Sequence, residues 1–267
     1  MARTTLAERA PTAPDPAALA HVDSWVFDLD NTLYPVACGP YPQIDQRIRA
    51  FIAKALGLDL DTAYERQKQY FHAYGTSLLG MTREHGTDPQ EFLAYVHDVD
   101  VTCIPADPGL DEALTALPGR KVIFTNADVP YAERVLDRIG IRRHFDLIFD
   151  IVAADYIPKP HRATYEGMLA RAGIDPHAAA MVDDLPRNLE PAAALGMTTV
   201  WVKNDGEWAL PGNSREGLRQ QYAEIGAKAN HVVEHLESWI RAVAPRGARL
   251  PRVAKRDYLP GARRRFT

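Results

Sequence analysis

The sequence predicts an α/β fold: a Rossmann-like, doubly wound parallel sheet with an all-helical module inserted into it. Three observations predict this. Short apolar runs alternate with amphipathic segments through the second half of the chain, a long helical stretch separates the first run from the next, and polar or acidic residues recur where the runs end.

Trp25-Val26-Phe27 reads as the first buried strand, and Lys121-Val122-Ile123-Phe124-Thr125 as the next. The gap between them far exceeds a normal crossover of about a dozen residues. Within it Ile44, Ile48, Phe51, Ile52 and Leu56 recur at helical spacing, and Gly57 stops that helix. A second helix is expected from Asp61 towards Tyr74. A third is expected from Asp88-Pro89, where Asp caps and Pro suits the first turn. Residues 35–107 are therefore expected to form a helical cap, well placed to act as a lid. Beyond residue 125 the pattern gives helices over 130–139, 162–172, 188–195 and 234–243. It gives strands over 147–152, 179–182, 198–202 and 231–233. Such alternation implies right-handed crossovers and a sheet covered on both faces. The core is thus assigned to 23–34 and 108–243, with a flexible arm over 1–22 and a basic, Arg-rich tail over 244–267.

The 46% hydrophobic and 25% charged content suits a globular enzyme. No apolar run reaches the roughly 18–20 residues of a membrane span, and the first twenty residues lack the apolar core of a secretory signal. Cys38 and Cys103 have no metal or redox spacing, so a reducing cytoplasm is expected. The net charge of −4 is uneven: nine Lys/Arg and one Asp from Arg241 onward give +8, leaving −12 elsewhere. Such a tail could attract nucleic-acid phosphates, but a solvated tail is the expectation, with neither nucleic acid nor membrane as partner.

Chemistry concentrates at the strand ends. Asp28 and Asp30, two residues apart after the first strand, point to the same side, at the end of an open α/β sheet where ligands bind. Their repulsion calls for a cation or a proton. The pair suggests a Mg²⁺-assisted site with one Asp as nucleophile and the other as acid/base. Alone, the motif reads more commonly as a solvated turn. A calcium loop is excluded by Pro35, Gly39 and the lack of a closing Glu. Thr125-Asn126 could hold phosphate oxygens, although local signals favour capping by Asn126 and Asp128. Lys159, between Pro158 and Pro160, would make a fixed cation. Asp183-Asp184 follows a buried run and needs a partner there; a metal is favoured over capping.

Four strand ends thus carry Asp-x-Asp, Thr-Asn, Lys-Pro and Asp-Asp in that order. In this the chain resembles the haloacid dehalogenase superfamily of phosphohydrolases, over roughly residues 24–243. Within it the pyrimidine 5′-nucleotidase-like branch is most similar. FDLDNTLYP (27–35), YFHAYGTSLLGM (70–81), FTNAD (124–128) and MVDDLPRNLEPAAALGM (181–197) carry the likeness, with Leu185 where that branch often has Ser. The resemblance implies that Asp28 attacks phosphorus and Asp30 acts as acid, then base. It implies that Thr125, Asn126 and Lys159 hold the phosphoryl group. Mg²⁺ would be held by Asp28, the Asp30 carbonyl and Asp184, with Asp183 binding directly or through water. Tyr41, Arg47, His72, Tyr74 and Thr76 are candidates for contacting the leaving group, with packing between helices an equal reading for the aromatics. The expected activity is hydrolysis of a nucleoside 5′-monophosphate, UMP or CMP. The alternatives are a phosphatase or phosphomutase for another small metabolite, such as phosphoglycolate or a sugar phosphate, and a non-catalytic nucleic-acid-binding protein using the basic tail.

Overall fold

In the computed structural model, which describes residues 14–35, 39–203, 224, 226 and 228–244, six strands form one parallel sheet. These are β1 (Ser24–Phe27), β2 (Arg120–Phe124), β3 (Leu147–Phe149), β4 (Ala179–Asp183), β5 (Thr198–Val202) and β6 (His231–Val233), in the order β3-β2-β1-β4-β5-β6. The expected doubly wound α/β fold is the one observed. The chain builds outward from β1 through β2 to β3, then returns to lay β4, β5 and β6 on the other side. The crevice between β1 and β4 is therefore the switch point at which such sheets bind ligands.

Residues 41–96, between β1 and β2, carry four helices: α1 (Tyr41–Leu56), α2 (Leu60–Tyr74), α3 (Ser77–His85) and α4 (Pro89–Val96). The side chains of Asp59, Thr76 and Asp88 cap the last three by accepting from backbone N–H groups. Phe51, Ile52, Tyr70, Met81 and Phe92 give these helices a core of their own, which Ile151 of the main body joins. Helices that flank the sheet among the described residues include α5 (Pro108–Ala116), α6 (Val129–Ile139), α7 (Arg162–Ala172), α8 (Pro186–Ala194) and α9 (Leu236–Val243). Strand alternation explains the layers. Trp25 and Phe27 face α5, α6 and α9, whereas Val26 faces α7 and α8 among Tyr165, Met168 and Leu189.

Some local expectations shift. β3 stops at Phe149, because Asp150 turns the chain: its carboxylate accepts from Ala153 N (2.8 Å) and Val129 N (3.0 Å). Gly75 ends α2 in the left-handed region, and Thr76 at once caps α3, which begins at Ser77. Asp107 starts α5 by accepting from Leu110 N. The arm expected over 1–22 is anchored at its end, since Leu19 and Val22 lie buried in the core. Residues 1–13, Cys38 and the tail from 245 on lie outside the described residues; Cys103 is exposed and in no disulfide. Among the described residues no helix is long and apolar enough to cross a membrane.

Candidate active site

Asp28 leaves β1 with its N–H still bonded to Val182 O of β4, so its side chain stands over the switch point. Lys159, 1% exposed, reaches it from the loop after β3. Its ammonium donates to Asp28 Oδ1 (2.7 Å), Asp183 Oδ2 (2.8 Å) and Phe124 O (2.9 Å). All three protons are thereby used. Burial works against this charge, but Asp183 and Asp28 outweigh it and push the Lys159 pKa up.

Carboxylate oxygens of Asp28, Asp183 and Asp184 lie within 4.8 Å of one another, all buried. The two neighbours in sequence are used differently. Asp183 is saturated: Oδ1 accepts from Leu185 N (2.9 Å) and Asn188 Nδ2 (3.0 Å), Oδ2 from Lys159 and Asn188 Nδ2 (3.1 Å). Asp184 has no cation paired with its carboxylate among the described residues. Its N–H donates to Thr32 Oγ1 (3.1 Å), and that hydroxyl lies 3.2 Å from Asp28 Oδ2 and 3.5 Å from Asp184 Oδ1. Burial first, then the charges of Asp28 and Asp183, push the Asp184 carboxyl well up. Burial also raises Asp28, against the pull of Lys159. Three buried carboxylates against one ammonium are an oxygen-rich, under-neutralised set that fits a hard divalent cation such as Mg²⁺. Asp28 and Asp184 have the oxygens to hold it, whereas those of Asp183 are spent on the protein.

The chain reverses at Asn31, in the left-handed region at φ 63°, and this presents Asp30 beside Asp28 on the cavity wall. Asp30 Oδ1 accepts from the hydroxyls of Tyr34 and Tyr131, the latter at 2.7 Å. Thr125 accepts from Ala127 N (3.0 Å), which leaves its hydroxyl proton to donate. Asn126 does not aim its amide at the carboxylates. It braces the backbone of Lys159, accepting from Lys159 N (2.8 Å) and donating to Lys159 O (3.3 Å).

A cavity of about 200 Å³ runs from these groups up between the inserted helices. Tyr41, Ile44, Asp45 and Ile48 form its α1 wall at helical spacing. Gln67, Lys68 and Phe71 come from α2, and Phe92, Leu93 and Val96 from α4. Of the candidates for leaving-group contact, Tyr41 and Thr76 line it. Arg47 lies off the α1 stripe, where it donates to Tyr95 O (2.6 Å) and pairs with Asp98 (3.1 Å). His72 is on the exposed side of α2, and the Tyr74 hydroxyl donates to Glu84 (2.8 Å). The side chains that do face the cavity include several that residue type alone did not single out: Asp45, Gln67, Lys68, Phe71 and Arg187. Asp45 accepts from Gln67 (2.7 Å) and Lys68 (3.1 Å), and the Arg187 guanidinium lies 4.2 Å from the Phe71 ring centre, joining α8 to α2. The spacing of Asp45 from Tyr41 was the one signal in the sequence. Thr32 and Asn188, which hold Asp184 and Asp183, carried none beyond their nearness to the motifs.

Residues 22–196 match the family model described as haloacid dehalogenase-like hydrolase. Among curated proteins, "Phosphate metabolism protein 8" of Saccharomyces cerevisiae is 28% identical over 205 residues, 70% of this chain; the match spans 63% of that relative's length. Among solved structures, a HAD phosphatase from Thermococcus onnurineus is 21% identical with a TM-score of 0.51, covering 80% of this chain and 94% of that one. A β-phosphoglucomutase from Clostridium difficile is 19% identical, also at 0.51, covering 81% and 92%. At these identities the structural likeness speaks for the fold.

Proposed function

As this chain belongs to the haloacid dehalogenase-like hydrolases, we propose that it cleaves phosphate monoesters through a phosphoryl-aspartate. The observation that carries this is Asp28 itself, a buried carboxylate ion-paired at 2.7 Å with Lys159 and grouped with Asp184. In this reading an Asp28 oxygen bonds to phosphorus as the ester P–O bond breaks, and Asp30 gives its proton to the departing alkoxide. Water then attacks the same phosphorus. Asp30 takes its proton as the Asp28–phosphorus bond breaks, which frees phosphate. Lys159 and Thr125 hold the phosphoryl oxygens, and Asn126 keeps Lys159 in place. Asp28, the Asp30 carbonyl and Asp184 would hold Mg²⁺, which when bound neutralises the charge developing on the phosphoryl oxygens.

The substrate we propose is a nucleoside 5′-monophosphate, with the pyrimidines UMP and CMP preferred. Support comes from the cavity beyond the carboxylates, where Ile44, Ile48, Phe92, Leu93 and Val96 make an apolar wall beside Asp45, Gln67 and Lys68. A sugar phosphate would bury a hydroxyl on nearly every carbon against that wall at a desolvation cost, whereas a nucleobase brings flat apolar faces and a polar edge. Phosphate release from nucleotides, sugar phosphates, phosphoglycolate and p-nitrophenyl phosphate with Mg²⁺ tests both levels. We expect UMP and CMP to lead, and Asp28→Asn to fall to background. Sugar phosphates or phosphoglycolate turned over far faster would end the nucleotide reading, and full activity in Asp28→Asn would end the mechanism.

A further inference from the structure

Asp30 is held in an unusual way. Tyr34 comes from the loop after β1 and Tyr131 from the first turn of α6, and both phenols donate to the same oxygen, Oδ1. Their hydroxyls are 3.3 Å apart. Both rings are buried, Tyr131 completely, so each phenol needs an acceptor. Convergence on one oxygen of one carboxylate that lines the cavity is more than that need requires. No hydrogen bond from the described residues reaches Asp30 Oδ2.

We propose, on the hydrolase reading above, that Tyr34 and Tyr131 are positioning residues for Asp30, fixing its rotamer through Oδ1 so that Oδ2 exchanges the proton. Oδ2–H passes its proton to the leaving alkoxide as the ester bond breaks, and the carboxylate so formed later takes a proton from the attacking water. Both phenols are buried and meet the same carboxylate oxygen, so each acts as a donor to it. The clamp is seated on the seam between the inserted helices and the core. The Tyr131 ring stacks on His97, centroids 4.7 Å apart and planes at 18°, just past the end of α4. Asp128 Oδ1 lies 3.1 Å from His97 Nδ1 and also accepts from Tyr131 N at 3.0 Å. Arg134 ties the same segment down, donating to His97 O and to Val99 O (3.0 Å). The placing of the helical insert and the aim of Asp30 therefore share one side chain, Tyr131.

Leaving-group chemistry separates positioning from general support. An alkoxide cannot depart without a proton, whereas p-nitrophenolate can, so a misaimed acid harms alkyl esters selectively. We would measure kcat/KM of Tyr34→Phe and Tyr131→Phe for UMP, or for whichever alkyl phosphate the wild type prefers, beside p-nitrophenyl phosphate. The alkyl ester is expected to lose roughly ten- to a hundredfold, and the aryl ester at least about fivefold less than that. Equal losses on both esters, or none on either, overturn the proposal. Should Tyr131→Phe not fold, Tyr34→Phe decides by the same ratio. A crystal structure of the Tyr34→Phe variant gives a second readout that needs no turnover: the Asp30 carboxylate should rotate away from its wild-type position, and an unmoved one overturns the clamp. A wild type inactive on every ester would instead end the hydrolase reading.

Discussion

Asp183 and Asp184 show how much two adjacent carboxylates can differ. Asp183 spends both oxygens on Lys159, Asn188 and Leu185 N, so it is structural mortar for the ammonium that faces Asp28. Removing it strips Lys159 of one of its two carboxylates and leaves a buried amide without an acceptor. Asp183→Ala is expected to cost about 3 kcal/mol or more in urea unfolding. Asp184 sits among like charges with its carboxyl pushed well up. Asp184→Asn should leave the metal-free protein as stable as wild type or stabilise it by about 1–2 kcal/mol, while Mg²⁺ binding weakens. Equal destabilisation by both substitutions would show that this division of labour is wrong. The sequence shows that two acids follow a buried run, but it does not show which is spoken for. That depends on Asn188 facing back from α8 and on Thr32 arriving from another strand end.

Periodicity made α1 legible, aromatics along one side marked α2, and the cap and first turn of Asp88-Pro89 announced α4. The short α3 and α5 were not legible, although Thr76 and Asp107 stand as their caps. Residue type misled where it was used without the helix: Arg47 and His72 suit a cleft chemically, yet α1 and α2 turn them away from it. The packing of α3 against α2 rests on Gly80. A methyl group there would lie 2.5 Å from Tyr70 Cγ and 2.7 Å from its Cβ, the inflexible end of that side chain, which is further held by the Tyr70–His85 hydrogen bond (2.6 Å). Gly80→Ala should therefore part the two helices, at about 1–3 kcal/mol. Because the inserted helices have their own core, the loss should be local. Hydrogen exchange is expected to quicken across α2 and α3 while the sheet keeps its protection. Uniform quickening, or none, would mean that the insert is not a separate cooperative unit.

At the scale of the molecule, the parallel sheet gathers strand ends that lie far apart in sequence: β1 supplies Asp28, and β4 supplies Asp183 and Asp184, with Lys159 from the loop after β3. The order of the four motifs is visible in one dimension; their electrostatic sum is a property of the fold. That sum is under-neutralised, and it sets a direction for pH. Burial, opposed by Lys159, raises Asp183 to about 6, and burial with two neighbouring carboxylates raises Asp184 well above its ordinary 3.8. A carboxyl raised on folding contributes stability that is fully present below the unfolded value and is lost as pH rises through the folded one. Without metal, the site should therefore weaken the fold progressively from about pH 4 upward. Burial raises Asp28 and Asp184, the two carboxyls with oxygens left for a cation, so Mg²⁺ would compete there with protons and is expected to bind more weakly at pH 5 than at pH 7.5. At a hundredfold excess over Kd the cation adds about 2.7 kcal/mol, or roughly 5–10 °C in Tm. Scanning calorimetry with Mg²⁺ or a chelator is expected to show this rise at pH 7.5, a much smaller one at pH 5, and little at either pH in Asp184→Asn. A Tm indifferent to Mg²⁺ at pH 7.5 would mean that the carboxylate cluster is balanced by the protein alone, and the case for a metal at this switch point would fall with it.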